Sequence, residues 1–419
     1  MHTRGVWRAI FGTLTEHFFR DLRTMRIITR TVWILSLVSL FADIASEMLY
    51  PVIPVYLKQI GFSVLWIGVL EGLANFTSGM SKGYFGKLSD EKGVRLPFVK
   101  LGYLFSSISK PMMAIFIYPI WIFFARTLDR LGKGIRTSAR DALLSAEATR
   151  ETKARVFGLH RAMDTVGATL GPVVALVLLL VWPGDYKLIF FLAFIPGIIS
   201  VLLVFLVKEK KQPVSTLKGG SFFSFFKYWN IASPEYKKLV VGLLFFAVAN
   251  SSDIFLLLRT KEITGDDQTT ILAYIFYNLI FASASYPLGA IADRIGIKKV
   301  FIAGLCLFCF VYTGFAFTDS SVVIFILFFV YGIYAAATEG VIRAWISNMA
   351  HEHNTATALG FYESCQSICT LFASIIAGFI WNFYGSKFTF LLTAAAALLI
   401  IFYLVVALKQ QKQPLISPQ

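Results

Sequence analysis

The sequence predicts an all-α membrane protein with twelve transmembrane helices in two six-helix halves and both termini cytoplasmic. Three observations predict it. The chain is 57% hydrophobic and only 15% charged over 419 residues, with 41 phenylalanines. No water-soluble core could absorb so much apolar sequence, so the bilayer has to act as solvent. The apolar residues collect in twelve segments of about the ~20 residues a helix needs to cross the hydrocarbon. Finally, the loop Gly86-Lys-Leu-Ser-Asp90-Glu-Lys-Gly93-Val-Arg95 recurs as Gly289-Ala-Ile-Ala-Asp293-Arg294-Ile-Gly296-Ile-Lys298, 203 residues later (289 − 86 = 203). A repeat this wide in a chain this apolar implies two similar membrane halves, the architecture of a transporter.

The spans fall near residues 31–57, 63–85, 97–117, 119–140, 156–182, 186–207, 238–260, 268–291, 299–317, 321–343, 356–380 and 386–408. They are too long and too uniformly apolar for barrel strands. Residues 1–30 form a basic tail, 31–207 the first bundle, 208–237 a linker, 238–408 the second bundle and 409–419 a short tail. The first tail has no apolar core, so no cleavable leader is expected. Its Trp7, Phe11 and Phe18 among arginines fit either a surface helix or a disordered basic tail. The linker holds Pro213, Gly219-Gly220 and Phe222-Phe-Ser-Phe-Phe226, which reads as a short amphipathic helix on the membrane surface.

The net charge of +15 raises the question of nucleic acid. The placement of the charges answers it. Arginines crowd the first tail. Lys87, Lys92 and Arg95 follow span two, Arg150, Lys153 and Arg155 follow span four, and six lysines fill the linker. The intervening connections hold almost none. That is the positive-inside pattern, and no separate basic stripe suggests nucleic acid. Cys306, Cys309, Cys365 and Cys369 all lie in apolar segments and read as small hydrophobes rather than redox or zinc ligands. No metal site and no cofactor are expected.

Ionisable side chains inside spans cost roughly 3 kcal/mol each on insertion scales, so those present face a partner, a cavity or a pathway. Asp43 and Glu47 in span one are one turn apart and share a face. Two close carboxylates in low dielectric cannot both ionise easily, which suits a proton carrier. Glu71 in span two could join them. Asp253, Glu339 and Glu363 are the candidates in the second half. Arg126, Asp129 and Arg130 share a face of span four, while Lys133, Arg136, Arg140 and Asp141 are expected at a solvated cytoplasmic mouth. Lys110 either lines the cavity or snorkels to the outer interface. His160 is expected to be solvated at the interface. Glu339 and Arg343, one turn apart, could be an internal salt bridge. Tyr50, Asn250, Tyr274, Tyr277 and Asn278 complete the candidate cavity lining.

Twelve spans, a basic central linker and the duplicated Gly-x-x-x-Asp-x-x-Gly-x-basic loop resemble the major facilitator superfamily over essentially the whole chain. The resemblance implies that Gly86, Asp90, Gly93 and Arg95, and again Gly289, Asp293, Arg294 and Gly296, are the gating loop called motif A. Glu91 departs from it, standing where the family usually has a basic residue. Gly167-Ala-Thr-Leu-Gly171-Pro172 resembles motif C, associated with antiporters, although the trailing glycines are absent. Small residues at this spacing equally serve plain helix packing. Arg130 with Gly134 resembles motif B, associated with proton transfer.

The resulting expectation is a proton-coupled secondary transporter moving a small polar or charged solute across the inner (plasma) membrane by alternating access, with efflux favoured. Uptake of an anionic nutrient or a metal chelate such as a siderophore is the alternative, and a non-transporting receptor a third. A monomer that is not an enzyme is expected, with protons, a small-molecule substrate and the lipid bilayer as its partners. No Walker loop or hydrolase motif points to ATP-driven or enzymatic chemistry.

Overall fold

Helix starts and stops follow ordinary capping chemistry. The side chains of Thr29, Ser63, Asp185 and Ser233 each accept a hydrogen bond from the backbone N–H three residues on, satisfying donors that a helix start leaves open. Gly93 stops a helix with φ of +65°, a left-handed conformation that costs glycine little. The result, in a computed structural model that describes residues 28–50, 52–209, 214–215, 221–250, 253–265 and 267–408, is nearly all helix.

In chain order the helices are α1 (Arg30–Glu47), α2 (Val52–Gln59), α3 (Val64–Lys92), α4 (Leu96–Ile115), α5 (Pro119–Ala146), α6 (Lys153–Val181) and α7 (Tyr186–Val204). After the linker come α8 (Tyr228–Ile231), α9 (Pro234–Ala249), α10 (Ile254–Thr264), α11 (Asp267–Ile295), α12 (Ile297–Phe317), α13 (Ser321–Met349) and α14 (Thr355–Ala407). Gly385, at φ +84°, folds α14 into two legs. Helices α3 and α11 differ at both ends by 203 residues (267 − 64 and 295 − 92), and the bounds of α1, α2, α4 and α5, the start of α6 and the end of α7 recur in α9–α14 at that spacing to within two residues.

Two pairs of long helices cross between the halves: α3 packs on α14, and α6 on α11. Glycines permit the close approach. A Cβ on Gly86 would sit 2.5 Å from the Ala356 carbonyl oxygen, and one on Gly289 would meet the Ala154 carbonyl oxygen as closely.

The structure departs from the sequence reading in three places. The first and seventh spans, expected as continuous helices, are each broken, between Glu47 and Val52 and between Ala249 and Ile254. Sequence supplies the reason: Pro51 lacks a backbone donor, and Asn250-Ser-Ser-Asp253 brings side chains that compete for backbone hydrogen bonds. Phe222–Lys227 is a 3₁₀ helix rather than an α-helix; it buries Phe225 against the site of Gly83 and leaves Phe222, Phe223 and Phe226 exposed. The last two spans are joined as the legs of α14. The tails 1–27 and 409–419, and linker residues 210–213 and 216–220 with Pro213, Lys218 and Gly219-Gly220, lie outside the described residues.

Among the described residues, six helices are long and apolar enough to cross a membrane by length and composition: Lys153–Val181, Tyr186–Val204, Thr269–Ile295, Ile297–Phe317, Ser321–Met349 and Glu352–Ala407. The breaks shorten α9 and α10, and α1, α3, α4 and α5 carry ionisable side chains within them.

Candidate functional site

At one end of the molecule, each half grips the start of a helix in the other. Asp90, at the end of α3, accepts from the Thr357 N–H (2.7 Å) and hydroxyl (2.9 Å) at the first turn of α14. Asp293, at the end of α11, accepts from the Ala154 and Arg155 N–H groups (both 3.0 Å) at the first turn of α6. Carboxylates are well placed there, because helix N-termini carry open donors and partial positive charge. The two grips differ in support. Asp90 also pairs with the buried Arg95 guanidinium at 3.2 Å, whereas Arg155 stands 3.9 Å from Asp293. Burial pushes the Asp90 carboxyl up to about 6, against the opposing pull of Arg95 and Thr357. Gly93 and Gly296, both at positive φ, end the helices that carry these aspartates.

The centre of the first half is ionic. Arg126 binds Glu71 through two nitrogens (2.6 and 2.8 Å) and Asp129 through a third (3.3 Å). Lys110 lies 3.4 Å from Asp129 and donates to the Ser106 carbonyl at 2.8 Å. Ser106 donates to Asp129 at 2.6 Å, and Arg130 sits 3.7 Å from Glu71. Glu71 is therefore tied to α5 and does not join Asp43 and Glu47. Lys110 does not snorkel; it is 2% exposed, held by an internal counter-charge.

Asp43 and Glu47 stay half-buried on α1, against α6. A Cβ on Gly167 would come within 2.6 Å of the Leu40 carbonyl, and one on Gly171, followed by Pro172, within 2.8 Å of Glu47 Cβ. These glycines seat α6 beside both carboxylates.

Ion pairs also cross between the halves. Arg343 bridges Asp141 (3.2 Å) and Glu363 (3.3 Å), and Glu363 faces Lys82 at 3.6 Å. Arg161 joins Asp164 and Glu339. Glu339 and Arg343 therefore do not pair with each other as expected: Glu339 is held by Arg161 of the other half, and Arg343 by Asp141 of the other half and Glu363 of its own. Arg136, Arg140 and Asp141, expected in solvent, are buried: Arg140 lies 2.8 Å from Asp141, and Arg136 stacks on Tyr103 at 4.3 Å. His160, expected at a wet interface, is fully buried 3.7 Å from Asp164. Asp141, Arg161 and Lys82 were visible as charges in the sequence. Their partners lie far along the chain, so spacing could not reveal them.

The second half is aromatic at its centre. Asp253, in the break between α9 and α10, accepts from the Tyr331 hydroxyl (2.6 Å) and the Tyr277 hydroxyl (3.2 Å). Both line a cavity of about 220 Å³ with Asn250, Tyr334, Glu339 and Arg343. Tyr274 lies within electrostatic reach of Asp253 and of Glu47 and Tyr50 from the first half. Asn278 turns back to its own helix, donating to the Tyr274 carbonyl. Tyr331 and Tyr334 were not singled out from sequence; their signal is an aromatic at three-residue spacing on a helix face. Among the described residues no three His, Cys, Asp or Glu side chains converge as a metal site.

The Major Facilitator Superfamily profile matches residues 35–273 and 239–419. An uncharacterized MFS-type transporter of Methanocaldococcus jannaschii is 32% identical over 372 residues, covering 87% of this chain and 92% of that one. The chain belongs to the major facilitator superfamily. The multidrug resistance protein MdtG of Dickeya zeae is 24% identical over 387 residues, covering 87% of this chain and 91% of its own. Among solved structures, the Escherichia coli fucose:proton symporter FucP matches with a TM-score of 0.75 at 12% identity, covering 90% of this chain and 98% of that one. The human organic anion transporter MFSD10 matches at 0.74 and 16%, covering 90% and 99%. At those identities the likeness is one of fold. This member of the superfamily is accordingly a multi-pass membrane transporter.

Proposed function

We propose that this superfamily member is a proton-coupled exporter of a small polar or charged solute, working by alternating access in the inner (plasma) membrane. In this reading the chain crosses twelve times in two halves with both termini cytoplasmic, and it acts as a monomer without catalytic chemistry. The observation that carries the reading is the pair of helix breaks at equivalent positions of the two halves. Breaks in matching spans mark a binding site between repeats, and at these breaks Glu47 corresponds to Asn250 and Tyr50 to Asp253, each 203 residues on. Asp43 and Glu47 are the first proton carriers considered, with Glu71, Asp253, Glu339 and Glu363 behind them. The motif A loops act as latches that favour one of two states. The low-identity multidrug resistance relatives support export.

Uptake of an anionic nutrient or metal chelate such as a siderophore rests on the cations of α4 and α5. Lys110 and Arg126 are already neutralised by Asp129 and Glu71, which leaves less positive charge for an anion. A receptor that has lost transport has no comparable support, because the buried charges are intact. The test is reconstitution in liposomes with an imposed pH gradient and a counterflow screen of solutes. The double variant Asp43→Asn/Glu47→Gln should lose gradient-driven accumulation yet keep exchange. Intact pH-driven transport in it would move the proton site to Asp253, Glu339 and Glu363.

A further inference from the structure

The carboxylates inside these helices differ in their partners, and Asp43 and Glu47 share with Asp253 the lack of an ion pair among the described residues. Glu71, Asp129, Asp141, Glu339 and Glu363 each face a guanidinium or ammonium within ion-pair distance. Asp253 faces none among the described residues; its two bonds come from tyrosine hydroxyls. A carboxylate has about four acceptor positions, so capacity remains for a further donor. Asp253 stands where α9 ends and α10 begins, so the C-terminal end of α9 adds partial negative charge beside it.

The surroundings favour positive charge. Of the three carboxylates that line the cavity, Glu339 is paired with Arg161 and Glu363 with Arg343 and Lys82, which leaves Asp253 as the lining carboxylate without a counter-ion among the described residues. Arg343 is occupied by Asp141 and Glu363. The rings of Tyr277, Tyr331 and Tyr334 border the same space, with Tyr277 and Tyr331 centroids 5.3 Å apart and Tyr331 and Tyr334 5.2 Å apart. No protein cation stands over these three rings among the described residues, whereas Arg161 is spent on Phe281. Aromatic faces around a carboxylate form a cage for an organic cation.

We propose that this cavity binds the positively charged head of an organic cation, a substituted ammonium group, with Asp253 as counter-ion and Tyr277, Tyr331 and Tyr334 as its walls. The proposal rests on reading the cavity as part of the transport path, and it names the class of solute. Arg126 and its neighbours then serve to hold the first half together, not to meet an anion.

The test uses the full-length protein in detergent with radiolabelled tetraethylammonium as the probe and benzoate as its anionic counterpart. Saturable tetraethylammonium binding is expected, falling at least about tenfold in Asp253→Asn. Tyr331→Phe, which keeps the ring and loses only the hydroxyl, should stay within about threefold, while Tyr331→Leu should lose roughly tenfold. This ring-dependence decides the matter even if Asp253→Asn fails to fold. Unchanged binding in Asp253→Asn, equal loss in both Tyr331 variants, or benzoate binding that depends on Asp253 overturns the site. Tetraethylammonium binding without any pH-driven movement in liposomes would sink coupled transport and leave the site standing. Movement of an anion with no tetraethylammonium binding would do the reverse.

Discussion

Positions 203 residues apart sit on matching helices, yet their chemistry diverges with depth. At the latch end the pairs are alike: Gly86 and Gly289, Asp90 and Asp293, Gly93 and Gly296. At the centre, Glu71 is answered by Tyr274, Arg126 by Phe329 and Asp129 by Gly332. The repeat is kept where the halves hold each other and abandoned in the middle of the helices. One half is stiffened by a closed set of ion pairs and the other lined by phenols. The contrast teaches that a shared backbone fixes how the halves move, while the side chains between decide what each half can bind.

The largest effect should come from breaking the ionic centre. Arg126→Ala leaves Glu71 and Asp129 without their shared partner, a loss of about 3–5 kcal/mol for a buried pair. Its counterpart Phe329→Ala, on an exposed ring, should stay within roughly 0.5 kcal/mol. Thermal unfolding followed by size-exclusion chromatography would separate the two, and similar midpoints would erase the contrast between the halves. Next come the latches. Asp90→Asn and Asp293→Asn each put an amide NH2 donor among groups that already donate, leaving an unsatisfied contact worth about 1–3 kcal/mol, and Asp90→Asn also strands buried Arg95. Spin-label distances across the latch end should therefore lengthen more in Asp90→Asn; equal shifts would show that Arg95 contributes nothing.

Gly86→Ala and Gly289→Ala test the same end by bulk. Both new Cβ atoms meet a backbone carbonyl, so both should open the latch by about 1–3 kcal/mol and to the same degree. A difference between them would locate an asymmetry in the backbone itself. The last effect is a pH dependence. The Asp90 carboxyl sits at about 6 in the closed latch against an ordinary 3.8. The closed state binds the proton more tightly, so acid favours it. That extra stability is complete below about pH 4 and fades as pH rises through 6. Burial pushes the Asp293 carboxyl up to about 6 as well, so closed-latch populations measured from pH 4 to 8 should fall in the native chain, fall less in Asp90→Asn, and lose the step in Asp90→Asn/Asp293→Asn. A rise with pH would overturn the sign.

Composition and the duplicated loop made the helical membrane fold legible, because hydropathy and repetition are properties of sequence alone. The breaks were written only faintly, in Pro51 and in Asn250 to Asp253, inside segments whose apolar run suggested continuity. Buried charges were easy to find and hard to pair. Arg343 has Glu339 one turn away and bonds Asp141, 202 residues earlier, instead. Lys110 looked free to reach water, yet Asp129 on the next helix holds it. The tyrosines of α13 drew no notice because an aromatic in an apolar helix is ordinary; only Asp253, placed by a helix break, gives them a task.

The reciprocal grip of Asp90 on α14 and Asp293 on α6 has a consequence for speed. Rigid separation of the halves cannot release one grip and keep the other, since each half holds the start of the other's helix. Both sets of contacts must be stripped within a single barrier crossing. At about 1.5–3 kcal/mol apiece, they slow that crossing by roughly two to four orders of magnitude. A cell could thus set the turnover of this protein through two side chains that never touch the cargo.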